Sequence, residues 1–178
     1  MADETVERDK AKEGAQPRVR LRHFSRSLPM LLLRAREAMM RHFRNSLRVH
    51  DITEQQWRIL RALVTVPEIE VTELARATFL LGPSLSRILK DLETRQLIER
   101  HQDENDLRRS RIAISQAGLA LIEKVAPQSE EIYGEIARAF GVERMRELQR
   151  LLEELEAVAS GLDARGIPNE KGGEGDET

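Results

Sequence analysis

Residues 83–100, PSLSRILKDLETRQLIER, combine a helical pattern with side chains suited to binding a nucleic acid. Four apolar residues recur at the spacing of one helical face: Leu85, Ile88, Leu89 and Leu92. The other face begins with small hydroxyls and cations: Ser84, Ser86, Arg87 and Lys90. Hydroxyls permit close approach to bases and backbone, and arginine can bind guanine or phosphate. Taken alone, the pattern also fits an ordinary surface helix.

A second cluster of cations follows this helix. Arg108, Arg109 and Arg111 fall close together next to Asp106, in a stretch that the pattern predicts to be a hairpin. Guanidinium groups are attracted to the narrow minor groove of A·T segments, so a nucleic-acid contact is favoured here too. Asp106, two residues before Arg108, could hold that side chain in one pose. For the arginines alone, a solvated charged turn is the alternative.

The elements that must position these residues form a recognisable order. Helices are expected at 27–50, from 54 to before Pro67, at 72–79 and at 83–95. Thr53 and Gln56 form a capping box, Thr72 is the expected N-cap of the short helix, and Pro83 suits a first helical position. Alternating residues then predict two short strands on either side of the charged turn. This order is a helix-turn-helix followed by a β-wing.

The helical period returns after the wing. A helix starts at Ser115, Pro127 should kink or interrupt it, and Gly141 should end it. The last helix carries a nearly heptad apolar stripe from Val142 to Val158. The predicted fold class is mainly α with a small β-wing, namely a winged helix-turn-helix with an additional helical region.

The wing carries a resemblance to a known family. The segment DLRRSRIAIS followed by QAGLALIE is similar to the signature of the multiple antibiotic resistance regulator (MarR) family: Asp, any residue, Arg, alternating apolar residues, Ser or Thr, and Gly at a helix start. The match covers about residues 25–162. The stretches SLPMLLLRARE, ITEQQWRILR and PSLSRIL resemble, more narrowly, regulators of the homoprotocatechuate degradation operon.

This resemblance implies a homodimer that represses an aromatic catabolic operon and is released by a small aromatic acid such as 4-hydroxyphenylacetate or homoprotocatechuate. Ser84, Ser86 and Arg87 carry over to the groove-reading helix, and Asp106 and Arg108 to a wing pair. Two-fold symmetry predicts an inverted-repeat operator in double-stranded DNA. The full set assigned to DNA is Thr72, Pro83, Ser84, Ser86, Arg87, Lys90, Asp106, Arg108, Arg109 and Arg111.

The resemblance also organises the chain into parts. It implies a first dimerisation helix within 23–52, a DNA-binding domain at 53–116 and further dimerisation helices within 117–163. The composition of 1–22 and of the acidic 164–178 predicts disordered tails. One residue departs from the family pattern: Gln96 stands where a Gly usually ends the recognition helix. A non-Gly residue in that left-handed position costs about 1 kcal/mol.

The resemblance implies an effector site between the dimerisation helices and the winged domain. An aromatic carboxylate needs a cation and flat apolar walls. Five residues are candidates: Arg34, Arg36, His42, Trp57 and Arg61. Arg34 and Arg61 are the preferred carboxylate partners, with Trp57 as a wall and His42 as a phenol partner. Core packing of Trp57 and salt bridging of the arginines remain the alternatives.

Composition limits the other classes of function. The chain has no Cys, so disulfides, thiolate metal sites and thiol nucleophiles are excluded. Its four His are scattered, and neither a metal site, a cofactor site nor a catalytic set is visible, so an enzyme is not expected. The apolar runs are too short to span a membrane, and no signal peptide is visible, which predicts a cytoplasmic protein.

Two alternatives to this function stay open. One is a MarR-type regulator that answers to a different phenolic ligand. The other is a winged-helix module that binds protein instead of DNA. The net charge of −2 means that local patches, and not the overall field, must attract DNA. Salt dependence of binding would separate the DNA and protein readings.

Overall fold

The computed structural model describes residues 23–102 and 110–163. A short 3₁₀ helix, Phe24–Arg26, precedes the first α-helix. The elements that follow are α1 (Leu28–Val49), α2 (Glu54–Val64), β1 (Ile69–Glu70), α3 (Val71–Thr78), α4 (Gly82–Thr94), β2 (Ile98–Gln102), β3 (Ser110–Ile114), α5 (Gln116–Phe140) and α6 (Val142–Asp163). The tails predicted to be disordered lie outside the described residues.

Two compact units divide the chain, one up to Asn45 and one from Ser46 onward. The first contains most of α1, whose backbone begins with the Leu31 amide donating to the Ser27 carbonyl at 3.0 Å. Pro29 lies in this first turn, where a missing amide hydrogen costs no helical bond. Within the described residues, no helix has the length and apolar character needed to cross a membrane.

The second unit contains the winged helix and its core. The capping box predicted for α2 is confirmed: Thr53 Oγ1 accepts from the Gln56 amide at 3.2 Å, and Gln56 Oε1 accepts from the Thr53 amide at 2.8 Å. The core is built from one face each of α2, α3 and α4, the sheet and α5, and includes Ile59, Leu60, Leu63, Leu74, Leu89 and Ile112. Burying these side chains provides the main stabilisation of the unit.

A three-stranded antiparallel sheet has the order β1–β3–β2. The strands predicted on either side of the charged turn are confirmed as β2 and β3, with Ile98 opposite Ile114. The strand β1 was not expected from the sequence, because two residues cannot display an alternating pattern. Its Ile69 pairs with Ile112, which ties the segment before α3 to the wing.

Two predictions about helix bounds were wrong. Thr72 is not the N-cap of α3, since the helix begins at Val71 and Glu70 occupies the cap without a side-chain bond. Strand pairing of Glu70 with Arg111 holds the backbone extended up to this point, so the helix starts directly after the strand. Pro83 was predicted to be the first residue of α4, but the helix begins one residue earlier, at Gly82.

Pro127 does not interrupt α5, contrary to one of the two predicted effects, a kink or an interruption. Helix α5 is a single element from Gln116 to Phe140 with Pro127 inside it. An internal proline costs roughly 3 kcal/mol. Val125 and Ser129, on either side of it, are both buried, so packing holds both halves of the helix in place. Gly141 ends α5 as predicted, with a positive φ of 102°.

Candidate nucleic-acid interface

Helix α4 separates its two faces as the sequence predicts. All four residues of its apolar face are buried: Leu85, Ile88, Leu89 and Leu92. Ser86, Arg87 and Lys90 are exposed, and Ser84 is partly exposed. The start of the helix therefore presents hydroxyls and cations to solvent while its other side is fixed in the core.

The cations of α4 and its surroundings fall into two groups. Arg95 and Arg100 have partners inside the chain: Arg95 Nη1 donates to the Asp51 carbonyl at 3.0 Å, and Arg100 Nε lies 3.4 Å from Glu93 Oε2. Within the described part of the chain, Arg87 and Lys90 form no side-chain hydrogen bond or ion pair. Arg87 and Lys90 are therefore available to bind an external anion.

Contacts from α2 and α3 fix the position of this helix. Gln56 Nε2 donates to Asp91 Oδ2 at 2.6 Å, which joins α2 to α4. Arg58 Nη1 donates to the Thr78 carbonyl at 2.9 Å, which joins α2 to the end of α3. Thr78 is fully buried, and its hydroxyl donates to the Leu74 carbonyl at 2.6 Å. These hydrogen bonds fix the residue that precedes the turn between α3 and α4.

The end of α4 is fixed to the wing and to α5. The departure at Gln96 put the helix C-cap in question, but Gln96 adopts the left-handed conformation, with φ 58°, at the place where the family pattern has Gly. The Gln96 amide donates to the Glu93 carbonyl and the Leu97 amide to the Leu92 carbonyl, each at 2.9 Å. These two bonds form a Schellman motif, which here is made without glycine.

Ser115 and Gly118, which belong to the family-like signature, complete this junction. Ser115 Oγ donates to the Gln96 carbonyl at 2.6 Å and accepts from the Gly118 amide at 3.0 Å. A Cβ atom on Gly118 would lie 2.1 Å from the Leu97 carbonyl oxygen, so only glycine fits. Helix α4, the wing strands and α5 are therefore joined at one point, which fixes the orientation of the wing strands relative to α4.

Part of the predicted wing site can be described. Asp106, Arg108 and Arg109 lie outside the described residues. Arg111 lies in β3, with Nη1 2.7 Å from Glu68 Oε1. His101, opposite Arg111 on β2, has Nδ1 3.7 Å from Glu68 Oε2. Glu68 thus places a carboxylate next to Arg111 and His101 at the base of the wing. The sequence did not identify this partner of Arg111, because Glu68 is distant along the chain.

Three of the predicted effector residues lie in the first unit. Arg34 and His42 are exposed in α1. Arg36 Nη1 lies 2.9 Å from Glu37 Oε1, while Arg44 Nη2 lies 2.7 Å from Glu37 Oε2. The hydrogen bond from Arg44, supported by the charges of both arginines, lowers the pKa of Glu37 below its ordinary value. Arg36 is therefore already engaged by an anion.

The other two effector candidates lie together in the second unit. Trp57 belongs to the core and is 8% exposed, and the Arg61 guanidinium lies 5.9 Å from the centre of its ring. This distance is within the range of a cation–π contact. Arg61 Nη1 also lies 3.2 Å from Glu130 Oε1 on α5. The alternatives of core packing for Trp57 and salt bridging for Arg61 thus describe their present surroundings.

Comparison with known proteins identifies the family. The sequence profile of the MarR family matches residues 50–109, from the end of α1 through α4 and β2. The homoprotocatechuate degradative operon repressor of Escherichia coli is 40% identical over 134 residues, which cover 75% of this chain and 90% of the repressor. The chain belongs to the MarR family. The resemblance stated from the wing and helix motifs is confirmed.

Two further proteins agree with membership of the MarR family. The HTH-type transcriptional regulator FarR of Neisseria gonorrhoeae is 36% identical over 138 residues, covering 78% of this chain and 94% of FarR. The crystal structure of NadR in complex with 4-hydroxyphenylacetate matches with a TM-score of 0.67 and 36% identity, covering 77% of this chain and 97% of NadR. The predicted fold class, a mainly helical winged helix-turn-helix protein, is confirmed.

Proposed function

We propose that this chain is a homodimeric transcriptional repressor of an aromatic catabolic operon. It binds an inverted-repeat operator and is released by a small aromatic carboxylate of the 4-hydroxyphenylacetate or homoprotocatechuate type. The observation that carries the proposal is the polar face of α4, where Arg87 and Lys90 face solvent and have no partner within the described residues, while the apolar face is buried. The 40% identity to the homoprotocatechuate degradative operon repressor of Escherichia coli supports the choice of operon.

Each exposed group of α4 has a role in this proposal. Ser84 and Ser86 allow the helix start to approach DNA closely and can bond to either phosphates or bases. Arg87 binds guanine through paired hydrogen bonds, and Lys90 binds phosphate as a point charge. Thr72 and Pro83 lie near helix starts, where amide groups favour phosphate. In this proposal α4 supplies most of the sequence discrimination.

The wing supplies the second contact. Arg108 and Arg109 reach the minor groove, and Asp106 holds Arg108 in position. Arg111 is paired with Glu68 through Nη1, and this carboxylate partly offsets its charge, so its contribution to DNA binding is expected to be smaller than that of an arginine without an acidic partner. The wing base is therefore a place where DNA affinity is moderated.

Dimerisation is proposed from the exposed apolar stripe of α6. Leu148, Leu151, Leu155 and Val158 lie on one side of the helix and are all exposed in the isolated chain. A stripe of this kind with near-heptad spacing is typical of helix pairing between chains. A two-fold dimer places two copies of α4 about one turn of DNA apart, which matches an inverted repeat.

The effector is proposed from the chemistry of a phenolic carboxylate. Arg34 is the first candidate for the carboxylate partner, because it is exposed and has no ion pair within the described residues. Arg61 is the second, and a ligand carboxylate would have to replace Glu130 there. His42 is proposed to bind the phenol group, and Trp57 and Arg36 complete the set. NadR was crystallised with 4-hydroxyphenylacetate, which supports this ligand class.

The test is a titration of DNA from upstream of the protein's own gene, with and without each acid. Tight binding that either acid weakens supports the whole proposal. Tight binding that neither acid changes keeps the regulator but requires a different phenolic ligand. Absence of binding at low salt contradicts DNA recognition and favours the alternative of a winged helix that binds protein.

Calorimetry with the acid locates the effector site. Arg34→Ala and Arg61→Ala should each weaken acid binding by about tenfold or more, since a charge-assisted pair contributes about 1.5–3 kcal/mol. Arg41→Ala, an exposed arginine on the same helix as Arg34, is the matched control. If both variants bind the acid as tightly as the parent, the assignment of these cations is wrong.

A further inference from the structure

We infer that Phe79 and Leu81, in the turn before α4, contact thymine methyl groups and so determine part of the operator sequence. The inference rests on the proposed function, because it requires α4 to lie in the major groove. It concerns residues outside the polar face of α4, and it adds apolar recognition to the hydrogen bonding proposed for Arg87.

These two side chains are the most exposed large apolar residues in the described part of the chain. Phe79 is 81% exposed and Leu81 is 79% exposed. Leu80, between them, packs against the core. In this turn, the side chain of Leu80 faces the core, whereas the side chains of Phe79 and Leu81 face solvent. Such exposure is unfavourable in water unless another molecule covers the surface.

Two backbone hydrogen bonds fix the conformation of this turn. The Leu80 amide donates to the Ala75 carbonyl at 3.1 Å and the Phe79 amide to the Arg76 carbonyl at 3.2 Å. These bonds form a Schellman motif at the end of α3. With the buried Thr78 directly before it, the turn presents Phe79 and Leu81 in a defined position.

Both positions carry residues that local structure disfavours. Phe79 has φ 51°, a left-handed conformation that Gly or Asn adopts more easily. Leu81 is the N-cap of α4, where leucine is among the least favoured residues and makes no side-chain cap bond. Departures from local rules without an internal gain are typical of functional sites. These residues are thus better explained by a contact outside the chain.

Gly82 gives an independent indication of close approach. A Cβ atom at Gly82 would meet nothing within 4 Å, and its backbone does not need a positive φ. Nothing within the described chain therefore requires glycine there. A glycine lets another molecule come close to the backbone, and here it lies between Leu81 and the polar start of α4.

The chemistry of the surroundings selects the occupant. The apolar pair consists of only two residues, and the hydroxyls and cations of α4 follow it, from Ser84 to Lys90. A partner that covers this surface therefore has to combine a small apolar group with groups that bind hydroxyls and cations. In the major groove, the C5-methyl group of thymine is the apolar feature that side chains such as Phe contact. A thymine methyl beside phosphates and bases therefore matches both parts of this surface.

The experiment removes only the methyl group. The site bound in the upstream DNA is mapped by footprinting, and each thymine in it is replaced by deoxyuridine, symmetrically in both half-sites. For the parent protein we expect at least one position at which affinity falls about tenfold, or roughly threefold for each half-site, as for one buried methyl group. The variant with both Phe79→Ala and Leu81→Ala should bind thymine and deoxyuridine DNA equally at that position.

The control is the variant with Val49→Ala and Val64→Ala, two exposed apolar residues outside the turn. It should retain the full methyl sensitivity. A parent protein indifferent to every thymine replacement contradicts the inference while leaving DNA binding intact, and so does a turn variant that keeps the parent's sensitivity. A turn variant with unchanged DNA affinity but weaker repression in cells indicates a protein partner and also contradicts it. Absence of any DNA binding contradicts the proposed function itself.

Discussion

Helices α4 and α6 carry apolar stripes of the same kind, but among the described residues only the stripe of α4 is covered. In α4 every residue of the stripe is buried, and Leu85, Leu89 and Leu92 are fully so. In α6, Met145 is buried, whereas Leu155 is 38% and Val158 is 64% exposed. The apolar face of α4 is satisfied by its own fold, so its polar face is free for a different molecule. The exposed part of the apolar face of α6 is the surface that we propose to pair with a second chain.

This difference separates two tasks that sequence periodicity alone cannot distinguish. A buried stripe positions a helix rigidly, which suits the reading of DNA. An exposed stripe pairs chains, which sets the spacing between two such helices. The polar face of α6 is occupied differently as well: Arg150 lies within 2.8 Å of Glu147 and within 2.5 Å of Glu154. These charges of α6 neutralise one another, whereas Arg87 and Lys90 have no acidic partner in the part of the chain that the structure describes.

The largest effect is expected from the covered stripe. Leu89→Ala removes a fully buried side chain and should lower the free energy of unfolding by about 2–5 kcal/mol. Chemical denaturation measures this change. Leu152→Ala on α6, at 37% exposure, is the matched substitution and should cost clearly less when unfolding is measured at concentrations low enough to dissociate the proposed dimer. Equal losses for both variants would remove the distinction between the two helices.

The exposed stripe should control assembly. Replacing Leu151 and Leu155 together by Ser should weaken the proposed dimer by about 3 kcal/mol, or two orders of magnitude in its dissociation constant. Sedimentation at several concentrations measures this constant, and circular dichroism should still show a helical chain. Glu153→Ser, on the opposite side of α6, should leave the dimer unchanged. A dimer that survives the double substitution must use another surface.

The polar face of α4 should control DNA affinity. Arg87→Ala should weaken operator binding by about 1–3 kcal/mol for each half-site and relax the preference at the base it contacts. Arg138→Ala removes the same charge from an exposed position on α5 and is the control. Both are measured by titration at one salt concentration. Equal and small losses of operator affinity for both variants would mean that Arg87 acts only through its charge and does not recognise a base.

The smallest effect is expected where α4 ends. Gln96→Gly relieves the left-handed strain and should raise the free energy of unfolding by roughly 0.5–1 kcal/mol. The Schellman bonds and the junction with Ser115 should persist, so operator affinity should stay within twofold. Denaturation and DNA titration together check this. A loss of stability would mean that the Gln96 side chain stabilises the fold by more than its left-handed conformation costs.

Local signals made much of the fold predictable. The capping box at Thr53, the two faces of α4 and the left-handed Gln96 each depend on residues a few positions apart. Strand β1 and the true start of α3 were not predictable, because both depend on pairing of Glu70 with Arg111 across the chain. The continuity of α5 through Pro127 likewise depends on packing on both sides of it.

The candidate site was predictable to a similar extent. The outward cations of α4 follow from helical periodicity, since that pattern decides which side faces the core. The anions that engage Arg61 and Arg111 could not be identified, because Glu130 and Glu68 lie far from them in sequence. The role argued for Phe79 and Leu81 was missed because an apolar pair in a turn looks like part of the preceding helix.

The most direct test of the account is the salt dependence of binding to the upstream DNA. A dimer that makes about 6–10 phosphate contacts should lose roughly 10³–10⁵ in DNA affinity between 50 and 200 mM salt. Such a fall, with a bound mass of two chains per duplex, would support recognition by paired α4 helices. Binding that changes by less than about tenfold over this range, or no binding at 50 mM, would contradict it.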